Sequence, residues 1–326
     1  MPHSKNTTIY IIIFKVLVTL ALSVGLWYQL QYKNELYQIE HVFYAYFQFK
    51  NISWLIFIVV LSIIHFSIEA KKWQILSIPF ERINFKKAMA AILSGNTFSI
   101  FTPNRIGEYA GRILFLDEGK RIKGVAATIV GSLSQLISSY LLGFIGFIIF
   151  LFFFSNYNSF IQISALFVGL IIWLILVLCY YNVKMAYWIL LQLKLIRKYA
   201  HYLSFLRRYK QKQLFELNLY SLIRYILFSL QYVLLIQLLF PEISLFIGFM
   251  VVFSIFFVQT VTPSIALFEL PLRGSIAIFF WNHFSVPESV ALSATFILWM
   301  LNIVIPAIFG IFIILFIRIK WQNNAT

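Results

Sequence analysis

Residues Leu93 to Lys123 read LSGNTFSIFTPNRIGEYAGRILFLDEGKRIK, the most informative stretch of the chain. It is apolar enough to enter a membrane, yet it has a Thr-Pro break at Pro103, several charges and the glycines Gly95, Gly107 and Gly111. Charges at membrane depth are costly, so they mark a site or a pathway. A proline that interrupts an apolar helix frees backbone groups, which are tolerated only beside protein or a water-filled cavity. The stretch therefore predicts a broken helix with a site beside the break.

The pattern returns about 160 residues further along the chain. Residues 258–276 read VQTVTPSIALFELPLRGSI, with a second Thr-Pro break at Pro263. On a helix, a Glu four residues before an Arg lies on the same face in the favourable order. Each copy has such a pair, Glu108–Arg112 and Glu269–Arg273.

The composition is that of a membrane protein. Of the 326 residues, 61% are hydrophobic and only 11% are charged, whereas a soluble domain has about 25% charged residues. The net charge of +15 is explained by basic loops on one side of a membrane rather than by nucleic acid, so no nucleic-acid partner is expected. One cysteine, Cys179, excludes an intramolecular disulfide.

We predict an all-α polytopic membrane protein with about six transmembrane helices and two re-entrant half-helix hairpins. Each predicted span is close to or above the ~20 residues that cross a bilayer. The predicted spans are Ile9–Tyr28, Ile52–Ala70, Gly124–Phe154, Phe160–Tyr181, Leu214–Phe240 and Glu288–Phe316. A polar, aromatic loop is expected between the first two spans, up to Asn51. The second span is expected to be closed by Lys71, Lys72 and Trp73. The hairpins fall at residues 88–116 and 244–281, around the two proline breaks.

Charge asymmetry predicts the orientation. With the N-terminus inside, 19 Lys and Arg residues lie on the cytoplasmic side, two lie outside and five lie within membrane segments. Because basic residues collect on the cytoplasmic side, we expect a multi-pass protein of the cytoplasmic membrane with both termini in the cytoplasm.

The two hairpins then enter the membrane from opposite sides, because three spans separate them. The units at about residues 84–154 and 243–318 are therefore predicted to form an inverted repeat within a single domain, residues 1–326. This arrangement is typical of alternating-access transporters. Oligomeric state is left open, a homo-oligomer included.

The segment 184–213 is basic. Lys194, Arg197, Lys198 and His201 form a stripe at helical spacing. A helix lying in the interface on anionic lipid and an ordinary cytoplasmic loop are both consistent with this stripe.

The proline breaks are the predicted substrate site. Half-helices that begin after Pro103 and Pro263 would point free N–H groups toward the midplane, and helix N-termini attract anions. Arg105 and Arg112 add guanidinium groups suited to phosphate or carboxylate. A polyanionic or zwitterionic headgroup therefore fits better than a cation. The alternative is that the two Glu–Arg pairs are only internal ion pairs that hold the hairpins together.

Two features of the later spans are also of interest. Arg224 is a further candidate for substrate binding. It lies about three turns into the fifth span, where it could instead reach the interface or pair with Glu216 or a hairpin carboxylate. A polar stripe on the third span suits interhelical hydrogen bonds better than the lining of a path. The stripe consists of Ser132, Ser134, Gln135, Ser138 and Ser139.

No metal site, cofactor or set of catalytic residues is expected. The five histidines are scattered without ligand spacing, and the chain has no Walker loop, G-x-G-x-x-G or nucleophile elbow. No stretch is long and polar enough for a soluble catalytic domain, so an ATP-driven pump is disfavoured.

The run FTPNRIGEYAGRILFLDEGKRIKGVAATIV, residues 101–130, resembles the P-G-R-x-G-E…R signature of the lysylphosphatidylglycerol synthase transmembrane region. This flippase-like family includes the lipid-flipping half of the multiple peptide resistance factor. Residues 262–280, TPSIALFELPLRGSIAIFF, resemble its P-x-G-x-G-x-x-E…R segment. The resemblance implies substrate-binding roles for Arg105, Gly107, Glu108, Arg112, Glu269 and Arg273.

Several positions depart from the family's pattern. Asn104 stands where a glycine is common, and Ser264 and Ala266 replace glycines of the second copy. Ser134-Gln135 and Asn302 stand where the family often has an arginine in the following helix. The aminoacyl-transferring domain of the synthases is missing, so the resemblance implies a chain that moves or binds lipid and does not make it.

Three functions follow as hypotheses. The first is a flippase or transporter of an anionic or aminoacylated phospholipid, or of a lipid-linked precursor, with that membrane lipid as its partner. The second is a membrane-embedded enzyme acting on lipid headgroups, for which Glu108 and Glu269 are the candidate groups. The third is a non-transporting subunit of an envelope-assembly machine.

Overall fold

The computed structural model describes residues 35–100, 102, 105–182, 204–262 and 269–316. Within these ranges the chain forms helices and no strand, so the predicted all-α polytopic membrane fold is confirmed. The α-helices are α1 (Glu35–Tyr46), α2 (Ile52–Ser77), α3 (Phe85–Ile100), α4 (Gly107–Ile113), α5 (Arg121–Phe154), α6 (Ser159–Tyr181), α7 (Gln211–Leu239), α8 (Leu245–Val261), α9 (Glu269–Asn282), α10 (Glu288–Trp299) and α11 (Ile305–Phe316).

Five helical stretches in the described part are long and apolar enough to cross a membrane: Phe49–Ser77, Glu118–Phe154, Ser159–Tyr181, Gln211–Leu239 and Glu288–Phe316. They match five of the six predicted spans. The predicted span Ile9–Tyr28, both break prolines and the basic stripe of 184–213 lie outside the described residues. The sixth span, the re-entrant course of the hairpins and the inverted relation of the two units stay predictions.

The prediction of a loop up to Asn51 is wrong in part, because helix α1 occupies residues Glu35–Tyr46. Tyr46 at its end is fully buried, and its hydroxyl donates to the carbonyl oxygen of Leu235 in α7 at 2.9 Å. The polar and aromatic residues of this segment therefore form a helix that packs onto the bundle.

The predicted end of the second span at Ala70 is also wrong, because α2 continues to Ser77. Lys72 does not close the span in water. Its side chain is buried and forms an ion pair with Glu69 at 3.1 Å. The number of basic residues on the predicted cytoplasmic side therefore falls by one. The predicted difference in basic residues between the two sides remains large.

Helices α3 and α4 pack tightly against each other. A Cβ placed on Gly111 would lie 2.4 Å from the Cα of Gly95, so only glycine permits this approach. Between the helices, the Thr102 hydroxyl oxygen accepts a hydrogen bond from the Gly107 N–H at 2.7 Å and donates to the Phe98 carbonyl at 3.1 Å. The threonine of the Thr-Pro break thus links the end of α3 to the start of α4.

Two hydrophobic cores hold the bundle. One is built mainly from α7 to α10 and includes Val233, Val251 and Trp281; the other joins α2, α3 and α5 and includes Trp73 and Ala91. In a bilayer, helices associate through close packing and polar contacts rather than through the hydrophobic effect.

The polar stripe of the third span has two roles. Ser134 and Ser138 bond to α7, with the Ser134 and Ser221 hydroxyl oxygens 2.7 Å apart and the Ser138 hydroxyl donating to the Asn218 side-chain oxygen at 2.6 Å. The predicted interhelical hydrogen bonds are confirmed for these two serines. By contrast, Gln135 lines a cavity described below.

The last span is interrupted by a π-helical segment, Met300–Val304, where the Ile305 N–H donates to the Met300 carbonyl. Pro306 follows and has no N–H to give. A proline removes a helix donor and its ring crowds the preceding turn, and the wider π turn accommodates this. The carbonyl that Pro306 leaves without a helical donor is that of Leu301, five residues earlier, and it lies 3.3 Å from the Ser62 hydroxyl of α2. The Ile303 carbonyl accepts from the Asn96 amide of α3 at 2.9 Å.

Candidate functional site

A polar cavity of about 350 Å³ lies where the two cores meet, with Phe66 of one core and Tyr225 and Phe256 of the other in its wall. Its lining comes from α2, α3, α4, α5, α7, α8, α9 and the π segment. Among the described residues, five Lys or Arg and two Glu side chains line it: Lys72, Arg105, Arg112, Arg224, Arg273, Glu69 and Glu108. All four predicted substrate-binding arginines therefore reach one cavity.

Glu69 of α2 is the centre of the charge network. One carboxylate oxygen accepts from Arg112 at 2.7 Å, and the other accepts from Arg224 at 2.8 Å. The second oxygen also lies 3.1 Å from the Lys72 ammonium. One carboxylate, only 4% exposed, thus compensates three cations from α2, α4 and α7.

Arg112 is buried beneath the cavity surface. Its side chain is 4% exposed, and it pairs with Glu108 as well as with Glu69, so the predicted Glu108–Arg112 contact is confirmed. The guanidinium carbon also lies 5.5 Å from the centre of the Trp73 ring, within cation–π range. Glu108 is 32% exposed, so it is the more accessible member of the pair.

Arg224 is held differently from the prediction. In the described part of the chain it pairs with Glu69 of α2, and not with Glu216 or with Glu108 of the first hairpin. Its Nε donates to His65 Nε2 at 3.0 Å, and its Nη1 also donates to the Gln135 side-chain oxygen at 3.2 Å. The side chain is 22% exposed, so part of the guanidinium still faces the cavity.

Arg105 is the least compensated cation of the lining. It has a left-handed backbone conformation, with φ at 58°, which non-glycine residues rarely adopt and which costs about 1–2 kcal/mol. Its N–H donates to the Thr102 carbonyl at 3.2 Å. Among the described residues its guanidinium has no ion-pair partner. Such strain is characteristic of functional positions.

The remaining predicted residues fall into two groups. Gly107 is buried and does not line the cavity; a Cβ there would lie 2.1 Å from the Phe98 carbonyl oxygen. Its role in the structure is to allow the close turn after the break. Arg273 of α9 lines the cavity, whereas the side chain of Glu269 and both break prolines lie outside what the structure describes.

Sequence reasoning missed His65, Glu69 and Lys72, which all line the cavity from α2. The signal was present, because an ionisable residue inside an apolar span is a site candidate. Glu69 lies at the end of the predicted second span and Lys72 just beyond it, and neither was predicted to line a site. His65 is buried, and its Nδ1 has no hydrogen-bond partner in the described part of the chain.

Asn302 of the π segment connects the cavity to a buried amide chain. Its side-chain oxygen accepts from the Ser62 hydroxyl at 2.9 Å, and its amide donates to the Gln231 side-chain oxygen at 3.2 Å. The Gln231 amide donates in turn to the Ile58 carbonyl at 2.9 Å. This chain of hydrogen bonds fixes Asn302 in the wall of the cavity.

A known family matches most of the chain. The model of the family described as "Lysylphosphatidylglycerol synthase TM region" matches residues 12–310. The chain belongs to this family. Comparisons with curated proteins and with solved structures gave no match. Among the described residues, no group of three or more His, Cys, Asp or Glu side chains is placed to hold a metal ion.

Proposed function

We propose that this protein moves an anionic or aminoacylated phospholipid, or a lipid-linked precursor, between the leaflets of the cytoplasmic membrane, with the headgroup in the charged cavity. The observation that carries this proposal is the concentration of seven charged side chains around one cavity inside an apolar helical bundle. Such charges are costly in a membrane and are retained where a polar substrate passes. Its volume of about 350 Å³ lies in the range of small-molecule sites.

The origin of the lining supports a transport mechanism. Arg105 and Arg112 come from the first predicted repeat unit, and Arg273 and Asn302 come from the second. When two units rock against each other, a site between them is exposed alternately to the two sides. A headgroup held by both units would therefore follow their relative motion while its acyl chains stay in lipid.

Reconstitution into liposomes tests this function. Purified protein is incorporated into vesicles with phospholipids labelled on an acyl chain, and the labelled lipid that becomes accessible in the outer leaflet is measured over time. We expect faster redistribution than in protein-free vesicles. A chemically changed headgroup would instead support an enzyme that uses the partly exposed Glu108, and neither change would support a non-transporting subunit.

Arg105→Asn should reduce redistribution of anionic lipid about tenfold or more while leaving the fold intact. The guanidinium has no ion pair to lose in the described structure, and asparagine tolerates the left-handed conformation better than most residues. Arg105→Lys keeps the charge and loses only the bidentate geometry, so it should retain more activity. Initial rates in liposomes and the melting temperature in detergent check both variants. Unchanged rates in Arg105→Asn would remove this arginine from the site.

Cysteine labelling tests the proposed orientation. In a Cys179→Ser background, Asn156→Cys lies in the exposed turn between α5 and α6, and Glu118→Cys lies in the exposed turn before α5. A membrane-impermeant thiol reagent added to intact cells should label the first and should label the second only after permeabilisation. The reverse pattern would invert the topology.

A further inference from the structure

We infer that the cavity selects phospholipid headgroups whose phosphate charge is not balanced by an attached ammonium, and that it discriminates against aminoacylated headgroups. This inference rests on the proposed function and narrows its substrate class to anionic phospholipids. It depends on how the charges of the lining are distributed and on which of them a ligand can reach.

The lining carries an uncompensated positive charge. Arg273 and Glu269, which lies four residues before it, are left out of this count as a pair. The remaining lining has four cations, Lys72, Arg105, Arg112 and Arg224, and two carboxylates, Glu69 and Glu108. This leaves an excess of two positive charges in a cavity surrounded by apolar helices. A low-dielectric environment makes such an excess costly, and a bound anion reduces that cost.

Both carboxylates of the lining already have cationic partners. Glu69 is 4% exposed and contacts three cations, and Glu108, although 32% exposed, is paired with Arg112. The cations that a ligand reaches are different. The side chain of Arg224 is 22% exposed, and Arg105 is partly exposed at the break. A phosphate therefore meets accessible guanidinium groups, whereas an ammonium meets cations of its own sign, and like charges are repelled strongly across such a site.

A substitution at Gln135 can change the charge of the lining while nearly preserving the shape of the side chain. Its side-chain oxygen accepts from Arg224 at 3.2 Å. Gln135→Glu keeps an acceptor at that place, adds one negative charge to the lining and competes with a phosphate for Arg224. Asn158→Asp is the matched control, because it makes the same amide-to-acid change at the cap of α6, where the side-chain oxygen accepts from the Phe160 N–H and an acid is equally suitable.

The experiment compares phosphatidylglycerol with lysyl-phosphatidylglycerol, both carrying the same labelled acyl chain, in phosphatidylcholine vesicles that contain the purified protein. We expect phosphatidylglycerol to redistribute at least about tenfold faster. In Gln135→Glu the ratio of the two rates should fall, and in Asn158→Asp it should not change.

The possible outcomes separate the inference from the function on which it rests. Equal rates for the two lipids, or a faster lysylated lipid, would overturn the selectivity and leave lipid transport standing. A ratio unaffected by Gln135→Glu would overturn the role of the cavity charge. Redistribution of neither lipid above the rate in protein-free vesicles would overturn the proposed function and the inference together.

Discussion

Replacing Glu69 with Gln should destabilise this protein by about 3–5 kcal/mol, which is the usual cost of removing one partner from a buried ion pair. The carboxylate lies between Arg112, Arg224 and Lys72 at 2.7–3.1 Å, and its side chain is 4% exposed. The amide of glutamine offers one neutral acceptor in place of two charged oxygens. Three cations from three helices would then lie close together without their common anion.

Unfolding of the purified protein by SDS in mixed micelles measures this loss. Glu118→Gln is the control, because Glu118 is 58% exposed and lies 3.8 Å from Arg121, and surface pairs contribute only ~0–1 kcal/mol. The double variant Glu69→Gln with Lys72→Met should be more stable than Glu69→Gln alone, since it removes one of the uncompensated cations. A Glu69→Gln protein as stable as the Glu118→Gln control would show that the network is not what holds these helices.

Gly111→Ala should disrupt the packing of α3 on α4 and cost about 3 kcal/mol or more, at or above the upper end for overpacked sites. The added Cβ would lie 2.4 Å from both the Cα and the amide nitrogen of Gly95. These are backbone atoms, so no side-chain rotation relieves the clash and the helices must separate. Because Arg112 follows directly on α4, its contact with Glu69 should lengthen, and transport should fall with stability.

Gly119→Ala is the matched control for this prediction. Gly119 precedes α5, does not have a positive φ, and a Cβ there would meet no atom within 4 Å. Where the backbone conformation suits alanine, this change is neutral or stabilising by ~0.4–1 kcal/mol, because alanine lowers the conformational entropy of the unfolded chain. Equal amounts of folded protein for Gly111→Ala and Gly119→Ala, measured by size-exclusion chromatography in detergent, would contradict the close approach of the two helices.

Local patterns predicted much of this architecture. The apolar runs gave the spans, and the charges beside the first proline break gave Arg105, Glu108 and Arg112 as cavity residues. The spacing of four residues was sufficient to predict the Glu108–Arg112 pair, because both partners lie on one short helix. In each of these cases the information lies within a few residues of the chain.

The centre of the network could not be predicted in this way. Glu69 contacts Arg112, 43 residues away, and Arg224, 155 residues away. Which distant cations share one carboxylate depends on how the helices pack, and packing is not encoded in a single span. The partner suggested for Arg224, Glu216, was chosen because it is near in sequence, and that criterion fails when helices of different spans meet.

The polar residues of the last span illustrate the same limit. Asn302 stands in a run of apolar residues and gives no periodic signal. Its partners, Ser62 and Gln231, are 240 and 71 residues away. Pro306 explains the π turn that contains Asn302. This explanation requires the structure, which shows the freed carbonyls and their donors on neighbouring helices.

The π segment determines how the two halves of the last span are rotated relative to their neighbouring helices. A π turn holds one residue more than an α turn, and each residue of an α-helix rotates the following face by about 100°. With Met300–Val304 wound as a regular α-helix, Ala307 and Gly310 would turn away from α3, where the Ala307 carbonyl now accepts from the Thr97 hydroxyl at 2.8 Å. Thr295, on the other side of the segment, would keep its contact with Tyr232. The one additional residue thus sets the angular phase between the two halves of this span, so that α10 fits α7 while α11 fits α3.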